Sequence, residues 1–241
     1  MRIAVISDIH GNMEALREVF DDIEKSGVDS VICLGDMVGY GPEPEAVVQW
    51  IISRNIPTIM GNHELAVVDP TYLEWFNPAA RQSILTIIPW LSEESMAFIS
   101  GLETSMTLHS GRFVHGFPPD SIITYLFQID KDGLVDAFRN LEEKICFVGH
   151  THKMTMVSYD GKDLIKAPLT EGLVTLYEDR QYIINNGSVG QPRDGNNSAK
   201  YLIWDVAKHS LDIRFVPYHI AKVTNKIIEA GLPEAHADRL W

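Results

Sequence analysis

Two histidines stand one residue apart in the stretch GHTH, directly after the apolar segment ICFV. In an extended strand the side chains of residues i and i+2 point to the same side, so His150 and His152 would project together. Neutral imidazole is a common metal ligand in proteins. A histidine pair is structural about as often as it is functional, so a metal site needs further ligands from elsewhere in the chain.

Other polar side chains occupy the same kind of position, at the ends of apolar, strand-like segments. They are Asp8, His10, Asp36, Asn62, His63 and His115. Ligands of open α/β sheets bind beyond the carboxyl ends of the strands, so residues that are scattered along the chain converge there. Turn formation explains aspartate and asparagine at such ends, but it does not explain the histidines. Carboxylate, amide and imidazole ligands together suit Mn²⁺, Fe or Zn²⁺ better than Ca²⁺.

Strands and helices alternate at the start of the chain. Apolar, β-branched runs predict strands at 2–8, 28–36 and 56–62, and apolar residues at helical spacing predict helices at 11–27 and 42–55. This alternation implies right-handed crossovers and a mainly parallel sheet. The strands are apolar throughout, which indicates a sheet covered on both faces.

A helical excursion interrupts the strand pattern. Residues 66–102 lack strand signals and contain two predicted helices, 77–90 and 92–102, which would form a lid over the sheet edge. The strand pattern then returns in SMTLHSGRFVHG, where Ser110-Gly111 would turn a hairpin.

The second half of the chain is dominated by hairpin signals. A predicted helix at 132–144 leads into ICFVGHTH, the following segments carry turn residues typical of antiparallel hairpins, and a helix at 222–231 closes the chain. We find no internal repeat and no linker. Residues 1–241 are therefore predicted to form a single α/β domain, a two-sheet sandwich flanked by helices.

Composition narrows the classes of function. The formal net charge of −13 argues against a protein that grips nucleic-acid backbones, so nucleic acid is not an expected partner. No apolar run approaches the roughly 20 residues of a membrane helix, and the N-terminus has no signal-peptide pattern, so a cytoplasmic protein is expected. Cys33 and Cys146 lie in apolar runs and are expected to be small buried hydrophobes without a catalytic role. Homo-oligomer formation is left open.

Five short motifs occur in order along the chain: DIH (8–10), GDMVG (35–39), GNHE (61–64), VHG (114–116) and GHTH (149–152). Together they resemble the signature of the calcineurin-like metallophosphoesterase superfamily. The stretches GDMVGYGP and NGSVGQPRDG resemble the bacterial and archaeal small phosphoesterases, with YfcE-like enzymes as the nearest likeness. The resemblance implies an αββα sandwich with two metals. It also implies hydrolysis of a small phosphomonoester or phosphodiester by in-line attack of a metal-bridging hydroxide.

The resemblance also implies a role for each motif residue. Asp8, His10 and His152 would hold the first metal. Asn62, His115 and His150 would hold the second metal, and Asp36 would bridge the two. The expected cations are two Mn²⁺ ions, with Fe, Zn²⁺ or Ni²⁺ as alternatives.

His63 is the implied catalytic residue, which would donate a proton to the leaving oxygen or contact the phosphate. In the serine/threonine phosphatases that share this signature, an aspartate orients the equivalent histidine and a phosphate-binding arginine follows. Gly39 and Tyr40 occupy those two positions here, which argues against a protein phosphatase. Glu64 or a backbone carbonyl is the expected substitute for the missing aspartate.

Further residues are weaker candidates. Asn12 would either contact the phosphate or cap the following helix, and Arg193 would grip a phosphate with its guanidinium group. Tyr40, Trp75 and Phe76 would line a pocket for a ring or belong to the core. The remaining histidines, His109, His209, His219 and His236, are expected at the surface.

An alternative function is a non-catalytic scaffold of the same fold. All seven implied ligand positions are intact in this chain. Burying so many polar ligands without a metal would be unfavourable, so the enzyme is the preferred hypothesis.

Overall fold

The computed structural model describes residues 1–241 and contains eleven strands and eight α-helices. The strands are β1 (Arg2–Ile6), β2 (Ser30–Cys33), β3 (Ser105–Leu108), β4 (Gly111–Val114), β5 (Ile145–Val148), β6 (Met154–Tyr159), β7 (Leu164–Pro168), β8 (Gly172–Thr175), β9 (Gln181–Asn186), β10 (Ala199–Asp205) and β11 (Ser210–Val216). The α-helices are α1 (Met13–Ser26), α2 (Pro44–Ser53), α3 (Asn62–Val68), α4 (Pro78–Ile87), α5 (Glu93–Ser100), α6 (Lys131–Asn140), α7 (Ile220–Glu229) and α8 (Glu234–Asp238). Short 3₁₀ helices cover Pro70–Trp75, Ile88–Trp90 and Leu126–Gln128.

The strands form two sheets, and both sheets are mixed. One has the order β2-β1-β10-β11-β8 and the other β3-β4-β5-β9-β6-β7. The prediction of a mainly parallel sheet is therefore wrong, because only β1–β2, β4–β5 and β5–β9 pair in parallel. The late hairpin β10–β11 pairs antiparallel with β1, which places the early βαβ unit and the late strands in the same sheet.

The predicted third strand at 56–62 does not form. This segment makes a single parallel bridge, between Thr58 and Cys33. The Pro57 carbonyl accepts a hydrogen bond from Cys33 N at 2.9 Å, but proline has no N–H with which to continue a ladder. The chain enters α3 at Asn62, so little length remains for pairing.

Alternating side chains in β1 explain the layers of the fold. Ile3 and Val5 join the apolar cluster between the two sheets, while Ala4 and Ile6 join the cluster beneath the helices on the outer face of the five-stranded sheet. On the outer face of the six-stranded sheet, α6 packs against a third apolar cluster. The predicted α/β sandwich with helices on both outer faces is confirmed.

Helix α1 shows how a local pattern determines an element. Asn12 caps its N-terminus by accepting a hydrogen bond from Ala15 N at 3.0 Å, and Gly27 ends it in a left-handed conformation with φ of 63°. The apolar residues between them, at helical spacing, are the buried ones: Met13, Ala15, Leu16, Val19, Phe20 and Ile23.

The excursion, residues 66–102, is helical as predicted. It contains the end of α3, the helices α4 and α5, and two 3₁₀ helices. The β3–β4 hairpin turns at His109 and Ser110 rather than at Ser110-Gly111, because Leu108 pairs directly with Gly111. Both turn residues have positive φ, as a two-residue hairpin turn requires. None of the helices combines the length and the hydropathy that a membrane crossing requires.

Candidate metal centre and its cavity

The predicted site residues converge at one end of the sandwich. Loops that follow β1, β2, β4 and β5, together with the first turn of α3, supply them. They are Asp8, His10, Asp36, Asn62, His63, His115, His150 and His152, and each is at most 9% exposed. They meet although β1 and β2 lie in one sheet and β4 and β5 in the other.

The backbone of these loops is left-handed at five of the site residues. Asp8, His10, Asp36, His150 and His152 have φ between 50° and 66°. Such a conformation costs about 1 kcal/mol or more for a residue with a side chain, and it persists where surrounding contacts enforce it. Because the backbone is not extended at GHTH, His150 and His152 do not project side by side, and each joins a different group of ligands.

The first group contains Asp8, His10, Asp36 and His152. The Nδ1 atoms of His10 and His152 donate to the carbonyl oxygens of Val38, at 3.0 Å, and Gln191, at 2.6 Å. These bonds leave the lone pair on each Nε2, and the two Nε2 atoms face each other at 3.1 Å. His152 Nε2 also lies 3.2 Å from Asp8 Oδ1.

The second group contains Asp36, His115 and His150, with Asn62 beside them. His115 Nδ1 donates to the Leu34 carbonyl at 2.7 Å, so its Nε2 lone pair faces Asn62 Oδ1 at 3.2 Å and Asp36 Oδ2 at 3.3 Å. His150 Nε2 contacts the Ile123 carbonyl at 3.2 Å, which leaves Nδ1 as its free ligand atom. Asp36 belongs to both groups.

The chemistry of these atoms fits two cations. The Nε2 lone pairs of these imidazoles converge on one another and on Asp8 Oδ1 and Asp36 Oδ2, and such groups repel one another unless a positive charge lies among them. Burial lowers the pKa of His115, but the adjacent Asp36 carboxylate outweighs burial and raises this pKa to about 9. Asp36 thus favours a positive charge at His115 Nε2, which a bound cation would supply in place of a proton. Nitrogen and oxygen ligands in two buried groups with a shared carboxylate match a pair of divalent transition metals.

Burial and neighbouring charges also shift the pKa values of the other titratable residues of the site. Burial raises the pKa of Asp8 and of Asp36, yet the neighbouring imidazoles outweigh burial and hold both values below the usual range. Burial and His63 lower the pKa of His10, and burial and His115 lower the pKa of His150 to about 3. His10 and His150 are therefore neutral at neutral pH, which is the form that binds metal.

Glu64 lies beneath the centre and does not orient His63. Its carboxylate accepts hydrogen bonds from the backbone N–H groups of Asp36 at 2.7 Å, Met37 at 2.8 Å, Val38 at 3.1 Å and Gly61 at 3.0 Å. These bonds hold the loop after β2 against the start of α3. The expectation that Glu64 substitutes for the missing aspartate is therefore wrong, because both carboxylate oxygens are already engaged.

Aromatic rings surround His63 instead of an acidic partner. Its ring lies 4.5 Å from Tyr40, 4.6 Å from His10 and 4.9 Å from Phe76, measured between centroids. Its Nδ1 is buried without a hydrogen-bond partner, and burial lowers the pKa of His63 to about 4. A Cβ at Gly39 would collide with this ring, so the His63 ring occupies the space that a side chain at position 39 would need.

The seven candidate metal ligands form the floor of the site, and a loop after β9 supports this floor. Ser188 Oγ donates to the Asp8 carbonyl at 2.8 Å, and the Gln191 carbonyl holds His152. Arg193, in the same loop, lines the cavity above the centre, with its guanidinium carbon 5.5 Å from the centre of the Tyr40 ring. Gln191 Oε1 accepts hydrogen bonds from Arg193 and so orients the guanidinium group.

Asn12 lies outside this cavity. Its Oδ1 caps α1, and its Nδ2 donates to the Gly190 carbonyl at 2.9 Å. Both polar atoms are thus engaged within the protein, so this placement favours helix capping over the predicted phosphate contact.

The walls of the cavity are aromatic. Tyr72, Trp75 and Phe76, from the excursion, and Tyr125, from the segment after β4, line it together with the candidate ligands. Tyr125 stacks on His150 with centroids 3.7 Å apart. Sequence patterns carried no signal for Tyr72 or Tyr125, because neither follows a strand or belongs to a motif.

One further histidine departs from its expected place. His236 on α8 is 2% exposed and lies 4.8 Å from the Tyr40 ring, so its assignment to the surface is wrong. His109, His209 and His219 are exposed as predicted. Both cysteines are buried, and burial raises the pKa of each thiol.

Two mixed sheets between helices, with buried Asp/His groups at the strand ends, define the fold of a metallophosphoesterase. The family model of the calcineurin-like phosphoesterase superfamily domain matches residues 1–209. The chain belongs to this superfamily, as its motifs predicted.

Similar proteins match over nearly the whole chain. The uncharacterised protein MJ0912 of Methanocaldococcus jannaschii is 38% identical over 99% of this chain and 97% of its own length. The metallophosphoesterase of Sphaerobacter thermophilus superposes with a TM-score of 0.86 at 32% identity, covering 100% of this chain and 98% of its own. The protein PH1004 of Pyrococcus horikoshii shares the fold, with a TM-score of 0.81 at 17% identity, covering 100% of this chain and 97% of its own.

Proposed function

We propose that this protein is a binuclear metal-dependent phosphoesterase acting on a small phosphorylated substrate. One observation carries the proposal: imidazole lone pairs and carboxylates converge in two buried groups that share Asp36, at the floor of an open cavity. A purely structural polar cluster would place donors opposite acceptors, whereas His10 and His152 present two acceptors to each other.

The ligands divide between the two groups. Asp8, His10 and His152 would hold one cation, and Asn62, His115 and His150 the other, with Asp36 shared. Two divalent cations bound there, such as Mn²⁺, would activate a water molecule for in-line attack and neutralise charge on the phosphoryl oxygens.

Residues above the floor would bind the phosphate group and contact the leaving oxygen of the ester. Arg193 is the one cationic side chain with a fixed charge in the cavity lining, and it is positioned to bind phosphate oxygens. His63 lines the same cavity and would donate a hydrogen bond to the phosphate, or a proton to the leaving oxygen once the negative charge of a bound phosphate raised its pKa. Tyr40, beside both, would supply a phenolic group where the protein phosphatases have arginine.

Metal analysis followed by assay tests this proposal. Protein loaded with Mn²⁺, and separately with Fe²⁺, Zn²⁺ or Ni²⁺, would be assayed with p-nitrophenyl phosphate, bis-p-nitrophenyl phosphate, cyclic nucleotides and dinucleoside polyphosphates. We expect stoichiometric metal and turnover of at least one ester. Full metal occupancy without turnover of any ester would instead favour a non-catalytic scaffold.

A further inference from the structure

The walls of the cavity differ in chemistry from its floor. Apart from the candidate metal ligands, His63 and Arg193, the lining consists of Tyr40, Leu65, Tyr72, Trp75, Phe76, Asn77, Ile123 and Tyr125. Five of these eight side chains are aromatic, and none is charged at neutral pH. This lining favours an uncharged, planar group on the substrate over a second charged one.

Trp75 is the most exposed of these aromatic side chains. The residue is 62% exposed, although it lies at the mouth of a cavity next to other aromatic rings. Its one close aromatic neighbour is Tyr72, with centroids 5.1 Å apart and ring planes at 72°. A T-shaped contact of this kind covers at most one face of the indole, so the other face is free to stack on a ligand.

Tyr125, which also lines the cavity, is engaged with other rings of the protein. It stacks on His150 and on Phe127, with centroid distances of 3.7 Å and 4.8 Å and nearly parallel rings. Its ring is therefore less available to stack on a ligand than that of Trp75. Phe76, on the side of Trp75, contacts the His63 ring edge-on at 4.9 Å. The aromatic wall is therefore continuous with the floor where the phosphate would bind.

We propose that Tyr72, Trp75 and Phe76 form a subsite that stacks on a planar aromatic ring carried by the alcohol of the phosphate ester, such as the base of a mononucleotide. This inference rests on the proposed phosphoesterase function and adds the place of the alcohol. Every base presents a π-face, so stacking would tolerate different bases. The net charge of −13 argues for a single nucleotide rather than a polymer.

Two substrates with the same kind of leaving oxygen isolate the contribution of the ring. Adenosine 5′-monophosphate and ribose 5-phosphate are both esters of a primary sugar hydroxyl, and they differ by the base. For the Mn²⁺-loaded protein we expect kcat/KM to be about tenfold or more higher for the nucleotide. Equal values for the two esters would overturn the subsite while leaving the phosphoesterase function intact.

Variants at Trp75 test whether its indole ring causes the preference for the nucleotide. Trp75→Ala is expected to raise KM for the nucleotide about tenfold and to leave kcat/KM for ribose 5-phosphate unchanged, while Trp75→Phe keeps most of the preference. Trp90→Ala is a matched control, since Trp90 is 37% exposed in the same excursion and does not line the cavity. No change for either ester in Trp75→Ala, or equal losses for both, would overturn the proposal.

A binding measurement separates this inference from the proposed function. Calorimetric titration of the Mn²⁺-loaded protein with the methylene phosphonate analogues of the two esters, which have no P–O–C bond to hydrolyse, reports affinity without turnover. Tighter binding of the nucleotide that Trp75→Ala abolishes would support the subsite even if no ester were hydrolysed. Equal affinities would overturn it.

Discussion

The floor and the aromatic wall of the cavity are built in different ways. Floor residues follow four strands and begin α3, they are at most 9% exposed, and backbone hydrogen bonds fix their side chains. Wall residues come from the excursion and from the segment after β4, and Trp75 among them is 62% exposed. For the proposed function, the sandwich would fix the metal chemistry, whereas the excursion and the segment after β4 would determine the choice of substrate.

The floor and the wall also differ in the charged side chains that they contain. The floor contains two buried carboxylates whose pKa values are held low by surrounding imidazoles. The wall carries no ionised side chain apart from Arg193, which lies where the two regions meet. Changes in the floor should therefore affect every substrate alike, whereas changes in the wall should depend on the substrate.

The largest effect is expected from Asp36→Asn. Asp36 belongs to both ligand groups, so its neutralisation should release metal and lower kcat/KM about 10³-fold or more for every ester. Metal content by mass spectrometry and rates on aromatic and aliphatic esters check this expectation. A loss confined to esters with an aromatic alcohol would erase the distinction between floor and wall.

His63→Asn tests a residue that lies between the floor and the aromatic wall, in contact with Phe76. Both metals should stay bound, and kcat/KM for alkyl esters, which have poor leaving groups, should fall about 10²-fold. For p-nitrophenyl esters the loss should be smaller, because a good leaving group needs little proton donation. Parallel rate measurements on both kinds of ester decide the point, and equal slowing would remove the proton-donor role.

Glu64→Gln tests whether metal binding by the floor depends on the backbone hydrogen bonds that Glu64 accepts beneath it. The glutamine amide would direct N–H groups at backbone N–H donors of Asp36, Met37 or Gly61, so we expect metal affinity to fall about 10- to 100-fold. Calorimetric titration with Mn²⁺ measures this change. Glu45→Gln is the control, because Glu45 also accepts a backbone N–H, from Ser92 at 3.0 Å, away from the site. Equal losses in both variants would contradict a specific role for Glu64.

The smallest effect is expected outside both regions, at Asp22. Hydrogen bonds from Arg214 hold the pKa of Asp22 below its usual value, so the ionised form stabilises the fold above the unfolded pKa of about 4 and this stabilisation is lost as pH falls. Asp22→Asn should lower the free energy of unfolding by up to about 1 kcal/mol at pH 7, because the pair is partly exposed. Activity should not change.

Urea unfolding at pH 7 and at pH 3 checks the Asp22 expectation. The difference between wild type and Asp22→Asn should shrink at the lower pH. A difference that grew on acidification would contradict the sign of the pKa shift. The variant also serves as a stability control for Asp36→Asn, since both remove one carboxylate charge.

Several features of the fold could be predicted because they depend on neighbours in sequence. The continuous apolar run of β1 predicts a strand buried on both faces, and the capped, amphipathic pattern of α1 predicts a helix buried on one. Pairing between strands could not be predicted in this way. Ala4 pairs with Ile203 across most of the chain, and no local pattern encodes that choice.

Within the site, the sequence by itself determined which side chains meet at the candidate metal centre, because ligand types at strand ends and their motif order are local properties. Tertiary structure alone decided how they are used. Left-handed backbone at His150 and His152 sends the two rings to different ligand groups, and packing engages Glu64 with the loop after β2. The wall around Trp75 also arises only on folding, because it joins segments about 50 residues apart whose aromatic side chains could equally have been core.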